Sequence, residues 1–115
     1  GRYQARSGHD SNTTRAGTEL LLSEVTIAQR FREQGYKTAL VGKWHVGDTQ
    51  EAYLPHSRGF DLATGSLGNI VANPERITTP QYFRGRDTFK TIPGAPITSP
   101  VYAEEACAFI EQHRE

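Results

Sequence analysis

The chain has 115 residues, enough for one small domain, and its 13 basic and 13 acidic side chains give a formal net charge of +0. This balance argues against a general nucleic-acid or membrane-surface binder, which would show a basic excess. Hydrophobic residues are 36% of the chain, and its 11 Gly and 6 Pro predict many turns and a thin core. No apolar run approaches the ~20 residues of a membrane span. The lack of any Met and of a signal peptide predicts a fragment of a longer protein.

In chain order, the polar stretch of residues 4–19 is predicted to be a surface loop, with His9 as a loop residue rather than a ligand. A helix follows, for which Ser23 is the predicted N-cap and Glu24 a favourable charge in the first turn. Gly35 is predicted to end this helix at the C′ position. The predicted apolar face of the helix consists of Val25, Ile27, Ala28 and Phe31.

Residues 36–41 are predicted to form a buried strand, because most are aromatic, β-branched or apolar. A helix, a glycine and a buried strand make half of a βαβ unit, which favours a parallel sheet. Lys43, Trp44 and His45 follow at the strand end, where open α/β sheets bind ligands. On an extended backbone, Lys43 and His45 should point to roughly the same side, suited to holding an anion and moving a proton. Trp44 should point to the opposite side and pack into the core.

A loop then leads to His56 and to the run Arg58-Gly59-Phe60-Asp61. We interpret Arg58 and Asp61 as residues that tie the loop down, and Phe60 as a residue that fills the core. Direct contact with a substrate is the less favoured interpretation of this run. His56 could line a cleft, but a lone loop histidine is weak evidence, so its role stays open.

The C-terminal half predicts a strand, a hairpin and a helix. Residues 65–72 are predicted to be a strand or extended segment, followed by a hairpin over residues 82–89 with its turn near Gly85. Residues 102–113 are predicted to be a second amphipathic helix, with Glu104, Glu105 and Glu111 facing water. Its predicted apolar stripe consists of Ala103, Ala106, Cys107, Phe109 and Ile110. Cys107 is interpreted as a small core residue, and as the only Cys it excludes an internal disulfide.

The stretch from Gly35 to His45 resembles the second signature of the sulfatase family. That signature has a Gly, then Tyr or Val, then a Ser or Thr two residues later. It continues with a small or branched residue before Gly-Lys, an aromatic residue and a His, and every position is met. Family members also commonly carry an Arg-Gly-Phe-Asp run soon afterwards. Gly1-Arg2 look like the last two residues of the family's first signature, which implies that the formylglycine nucleophile lies outside this chain.

The resemblance implies an α/β fold of the alkaline-phosphatase-like type: part of a mainly parallel sheet flanked by helices, with long loops and a small hairpin. It implies that residues 1–115 are a partial N-terminal catalytic domain, truncated at both ends, of an enzyme that hydrolyses sulfate esters. By resemblance, Lys43 contacts the sulfate and the formylglycine hydrate. His45 hydrogen-bonds the formylglycine hydroxyl and helps to release sulfate. A calcium ion is implied for the intact parent, with its ligands outside this chain, so no metal ligand is assigned here.

The isolated chain is therefore predicted to be inactive and only marginally folded. The expected substrate is a sulfated carbohydrate or a small aryl sulfate, with no nucleic-acid partner and no membrane span. The residues leave open which ester is used, whether the formylglycine precursor is Cys or Ser, and the oligomeric state. The resemblance implies an exported or lysosomal compartment.

The residue types at the strand end suit this chemistry. An ammonium gives a sulfuryl oxygen a charge-assisted hydrogen bond of about 1.5–3 kcal/mol. An imidazole exchanges a proton near neutral pH, so it can serve the nucleophile or the leaving oxygen.

Other functions fit the sequence less well. A phosphate-binding P-loop needs four residues between its glycines and a hydroxyl residue after the lysine, whereas six residues separate Gly35 from Gly42 and Trp44 follows Lys43. The four His lack the spacing of zinc ligands. Residue types alone leave a Ser-His-Asp hydrolase open, although no Gly-x-Ser-x-Gly elbow is present. The main rivals are a phosphonate or phosphate monoester hydrolase of the same superfamily and a non-catalytic α/β binding module.

Overall fold

The computed structural model describes residues 17–69, 80–90 and 98–114, which form two α-helices and one four-stranded sheet. The elements are α1 (Ile27–Glu33), β1 (Ala39–Lys43), β2 (Leu62–Ser66), β3 (Tyr82–Arg84), β4 (Asp87–Phe89) and α2 (Thr98–His113). Two short 3-10 helices, Glu51–Tyr53 and Pro55–Arg58, lie between β1 and β2. The predicted loop around His9 and residues 70–72 of the predicted extended segment lie outside the described part of the chain.

The first helix begins later than predicted and ends where predicted. Thr26, not Ser23, is the N-cap: its hydroxyl accepts a hydrogen bond from the Gln29 amide (3.1 Å), and the Gln29 side chain accepts one from the Thr26 amide (2.8 Å). This reciprocal capping box satisfies two amides that a helix start leaves unpaired. The Thr26 hydroxyl also donates to the Arg58 carbonyl at 2.7 Å, a tertiary contact that favours Thr26 over Ser23. At the other end, Gly35 has φ 86° and forms the predicted C′ turn.

The apolar face predicted for α1 is mostly exposed in the structure. Ala28 is buried, but Ile27 is 73% exposed and Phe31 is also exposed. The side that faces the protein is set by Gly59, where an added Cβ would lie 2.5 Å from the Gln29 amide nitrogen. Close backbone packing at Gly59 therefore turns the helix so that its larger apolar side chains face outward.

The sheet has the order β1-β2-β3-β4 and combines one parallel pair with an attached hairpin. Strands β1 and β2 run parallel, from Ala39 opposite Leu62 to Lys43 opposite Ser66. Strand β3 pairs antiparallel with both β2 and β4, and Gly85 at φ 62° forms the turn. The predicted hairpin and the predicted α/β class are confirmed, and attachment of the hairpin makes the described sheet mixed.

Strand β2 lies earlier in the chain than the strand predicted for residues 65–72. Its sequence, Leu-Ala-Thr-Gly-Ser, has little β propensity, which is why the pattern did not reveal it. Packing across the sheet selects it instead: a Cβ added at Gly65 would lie 1.7 Å from the carbonyl oxygen of Gly42 on β1. The glycine is therefore needed for the two strands to approach.

Helix α2 packs against β1 and β2, but with a different face from the one predicted. Cys107 is exposed and Ile110 is 64% exposed, so the interpretation of Cys107 as a core residue is wrong. Glu105, predicted to face water, is 14% exposed and forms an ion pair with Arg84 on β3. Because this pair fixes Glu105 towards the sheet, the helix presents Phe109 on its inner side and Cys107 outward.

The described core is small, as the composition predicted. Ala63, Leu67 and Phe83 are buried together, and partly buried Trp44 and Phe60 pack against them. Among the described residues, neither helix is long and apolar enough to cross a membrane.

Candidate active site

Lys43 is the last residue of β1, and its side chain is exposed. Its Nζ donates a hydrogen bond to Oδ1 of Asn69 at 2.8 Å. Asn69 follows β2, the strand parallel to β1, so the register that places Lys43 opposite Ser66 also brings Asn69 within reach. An amide oxygen is a neutral acceptor, and no ion pair joins Lys43 to a carboxylate among the described residues. The ammonium therefore keeps further N–H donors for an anion.

Trp44 anchors the strand end in the protein core, as the alternation predicted. Its indole Nε1 donates to the carbonyl oxygens of Gly47 and Tyr53, each at 2.9 Å. Its ring meets the ring of Phe60 edge to face, with 5.9 Å between centroids. Because these contacts hold Trp44 in place, they also hold the main chain of its neighbours, Lys43 and His45.

His45 departs from the extended backbone that the sequence argument assumed, because β1 ends at Lys43 and His45 has a φ of 55°. A residue other than glycine with positive φ is uncommon, although His is among the types that adopt it more readily. The His45 amide donates to the Leu67 carbonyl at 2.8 Å. A Cβ added at Gly68 would lie 3.5 Å from Cδ2 and 3.8 Å from Nε2 of the imidazole. The His45 ring therefore lies beside Gly68.

The structure brings Lys43 and His45 to one short segment, residues 67–69. The backbone at His45 is left-handed, however, and not extended as predicted. Lys43 reaches Asn69, and the His45 ring lies against the preceding residue, Gly68. A left-handed residue of this kind costs about 1–3 kcal/mol and persists where the surroundings enforce it. Here the surroundings are the Trp44 anchor on one side and the bond to the Leu67 carbonyl on the other.

Asp48 interacts electrostatically with both His45 and Glu19. The pKa of Asp48 is raised by partial burial and by the nearby charge of Glu19, while the charge of His45 opposes this rise. Glu19 is buried and accepts a hydrogen bond from the Thr49 hydroxyl, which lowers the pKa of Glu19. Asp48 and His45 thus attract each other when both are charged.

The Arg58–Asp61 run ties down the loop, as interpreted from the sequence. Buried Arg58 donates to the carbonyl oxygens of Leu21 (3.1 Å), Leu22 (3.3 Å) and Glu24 (2.7 Å). Burial lowers the pKa of the Arg58 guanidinium. Asp61 accepts hydrogen bonds from the amide and hydroxyl of Thr38, both at 3.1 Å. The two terminal nitrogens of Arg58 and the carboxylate of Asp61 are therefore hydrogen-bonded to other groups of the protein.

The two other histidines that the structure describes contact residues other than Lys43 and His45. His56 has a side chain that is 10% exposed, and its Nε2 is 3.5 Å from Oε1 of Glu51. His113 contacts the carbonyl of Phe109 within α2. Sequence reasoning missed Asn69 and Asp48, and Asn69 reaches Lys43 only through the register of β1 and β2.

A metal site does not form from the described residues, where no group of three or more His, Cys, Asp or Glu side chains could hold an ion. The calcium ion implied by the resemblance therefore has no ligand set among these described residues.

Comparisons with known proteins identify the family of the chain. A family model described as Sulfatase matches residues 1–110. The chain belongs to the sulfatase family. Mouse arylsulfatase J is 39% identical to this sulfatase chain over 69 residues, which cover 58% of the chain and 12% of the mouse protein. Human steryl-sulfatase is 38% identical over 84 residues, covering 61% of the chain and 14% of that protein.

Solved structures support the fold of this sulfatase chain. The crystal structure of Ps i-CgsB matches with a TM-score of 0.65 at 23% identity, over 82% of the chain and 24% of that protein. The crystal structure of the same protein in complex with k-i-k-neocarrahexaose also matches at 0.65, over 90% of the chain and 25% of that protein. The chain thus spans about a quarter of these structures and a smaller share of the curated relatives it matches.

Proposed function

We propose that residues 1–115 contribute part of the N-terminal catalytic domain of a sulfatase that hydrolyses sulfate esters, with an arylsulfate or a sulfated carbohydrate as substrate. The observation that carries this proposal is the convergence of Lys43 and His45 on Gly68 and Asn69. We call the longer protein that it implies the intact enzyme. Its formylglycine, outside this chain, would supply the nucleophile, and its compartment is proposed to be exported or lysosomal.

Lys43 would bind the sulfate group. An ammonium held by a neutral amide can direct its remaining N–H groups at sulfuryl oxygens, where negative charge must be stabilised. Holding the sulfate beside the β1 end also fixes the sulfur relative to the rigid strand, which lowers the entropic cost of reaction.

His45 would move a proton at the same place. Its main-chain amide is held by the Leu67 carbonyl, and the Asp48 carboxyl group lies near enough to interact with the charge of His45. A protonated imidazole can donate to the leaving oxygen, and the neutral form can then accept a proton from a hydroxyl group. The lysine supplies charge and the histidine supplies proton transfer, so both groups are needed in one place.

Turnover by the purified intact enzyme tests the proposal. We expect hydrolysis of 4-nitrophenyl sulfate or of sulfated monosaccharides, measured as released nitrophenol or sulfate. A phosphate or phosphonate monoester hydrolysed in preference to every sulfate would favour the rival hydrolase of the same superfamily. Lack of hydrolysis of all these esters would favour the non-catalytic binding module.

A further inference from the structure

A cavity of about 680 Å³ lies beside the candidate active site and does not include Lys43 or His45 in its lining. Its volume is within the about 300–1,000 Å³ usual for small-molecule sites. Three separate parts of the chain form it: the segment after β1 with the 3-10 helices, the start of the loop after β2, and the β3–β4 hairpin. Its lining includes Asp48, Glu51, His56, Leu67 and Arg86.

His56 has a side-chain nitrogen in this wall, Nε2, that is buried and makes no hydrogen bond within the described structure, and Oε1 of Glu51 lies 3.5 Å from it. The His56 side chain is 10% exposed. Buried polar atoms are nearly always paired with protein, water or a ligand, because an unpaired one costs about 1–3 kcal/mol. An imidazole nitrogen in a cavity wall is thus placed to bond with a molecule inside.

An ion pair lies on the same cavity. Arg86, in the turn of the hairpin, donates to Oε1 of Glu51 at 3.0 Å, and both side chains are largely exposed. The pair joins the hairpin to the first 3-10 helix and leaves N–H donors on Arg86 and acceptor sites on Glu51. Donors and acceptors are therefore available side by side.

The lining indicates the chemical class of the ligand. Asp48, Glu51 and Arg86 give no positive excess, which argues against a second anionic group. Polar residues outnumber the apolar ones, Leu54, Leu67 and Pro80, which argues against a sterol or lipid. A hydroxyl group both donates and accepts, so a neutral ring with several hydroxyl groups matches this mixture.

Two residues of the cavity lining, Leu67 and Asp48, also interact with His45. Leu67 lines the cavity, and its carbonyl accepts the His45 amide at 2.8 Å. Asp48 also lines the cavity and feels the charge of His45. A substrate with its sulfate at Lys43 and His45 can therefore extend its alcohol portion into this space.

We propose that this cavity is a subsite for the neutral, hydroxyl-bearing sugar ring of a sulfated substrate, held by His56 and by the Arg86–Glu51 pair. The inference rests on the proposed sulfatase function and adds the substrate portion and the residues that select it. These residues bind the part of the substrate that is not transferred, so they act on specificity.

The test compares two substrates in the intact enzyme. One is 4-nitrophenyl sulfate, and the other is the best substrate among galactose 4-sulfate, N-acetylglucosamine 6-sulfate and a sulfated galactan oligosaccharide. Arg86→Ala and His56→Ala should each lower kcat/KM for the sugar sulfate by about tenfold, mainly through KM, and by a smaller factor for the aryl sulfate. Arg30→Ala is the matched control, because Arg30 forms a similar exposed 3.0 Å pair with Glu33 on α1.

The outcomes separate the two proposals. If the wild type hydrolyses both substrates and both variants keep the wild-type ratio of kcat/KM values, the subsite is wrong and the sulfatase function stands. Hydrolysis of the aryl sulfate with no activity on any sugar sulfate also overturns the subsite. If the wild type hydrolyses neither, the proposed function itself fails. Arg86 is largely exposed, so its variant gives a result even where His56→Ala does not fold.

Discussion

Two regions of this chain carry charged residues in runs typical of sulfatases, and they use the charges differently. Arg58 and Asp61, before β2, are bonded to main-chain carbonyls and to Thr38. Lys43, at the end of β1, is exposed and bonded to the neutral amide of Asn69. Resemblance to a family motif does not show which of the two regions is available to a ligand. The hydrogen-bond partner of each charged group does show it. A charge occupied by protein groups holds the fold, and a charge on a neutral partner stays available for a ligand.

The largest expected effect is a loss of activity without a loss of folding when a residue at the end of β1 is replaced. In the intact enzyme, Lys43→Ala and His45→Ala should each reduce kcat by about 10²–10⁴-fold, because charge stabilisation or proton transfer is lost. The measurements are steady-state kinetics and circular dichroism of the same preparations. Lys37→Ala and His113→Ala are the controls, since both residues are exposed and lie away from the β1 end. Near-normal rates in a folded Lys43 or His45 variant would favour the binding module.

Arg58→Ala should give the opposite pattern. It leaves the carbonyls of Leu21, Leu22 and Glu24 without the donor that joins them, and we expect the free energy of unfolding to fall by about 2–4 kcal/mol. Urea unfolding of the intact enzyme measures this, with the activity per folded molecule largely retained. Arg30→Ala, an exposed control, should change stability by less than about 0.5 kcal/mol. A stable but inactive Arg58 variant would break the comparison between the two regions.

Asn69 tests whether the neutral partner of Lys43 matters. Asn69→Asp keeps an acceptor near Nζ but adds a negative charge, which would neutralise the ammonium and repel sulfate. We expect kcat/KM for a sulfate ester to fall by about tenfold, with KM raised and the loss partly relieved at low pH as the carboxyl is protonated. Asn69→Gln, which keeps a neutral amide, should retain more activity. Equal losses in both variants, independent of pH, would show that Asn69 acts only through packing.

Local sequence patterns predicted the parts of this fold that depend on local chemistry. Gly35 ended α1, Gly85 formed the hairpin turn and Trp44 packed inward, because each follows from a nearby pattern. The errors came from contacts distant in sequence. Thr26 displaced Ser23 as the N-cap through the Arg58 carbonyl, 32 residues away.

The same limit applies to the site and to α2. Glu105 pairs with Arg84 on β3, which turns Cys107 outward against the helical pattern. Lys43 could be singled out from the sequence, but its partner Asn69 required the register of β1 and β2. The left-handed backbone at His45 likewise depends on the Leu67 carbonyl, which no local pattern reveals.

The smallest expected effect concerns Asp61 and has a definite pH dependence. Burial opposes its ionisation, but hydrogen bonds from Thr38 and the charges of Arg32 and Lys37 outweigh this and lower the pKa of Asp61. The unfolded chain therefore binds a proton at higher pH than the folded one. The stability that ionised Asp61 contributes is complete above its ordinary pKa of 3.8 and is lost as pH falls through the lower folded value.

Asp61→Asn should therefore destabilise the intact enzyme by about 1 kcal/mol at neutral pH, because an amide accepts these hydrogen bonds less strongly than a carboxylate. The difference from wild type should shrink on acidification below pH 3.8, measured by urea unfolding at a series of pH values. Glu33→Gln is the matched control, since Glu33 forms an exposed ion pair with Arg30 and should contribute less than about 0.5 kcal/mol. A difference that stays constant with pH would mean that the Asp61 carboxylate charge does not hold the loop. Arg58 would then be the only charged residue of the Arg58–Asp61 run whose charge holds the fold, in contrast to the charge of Lys43.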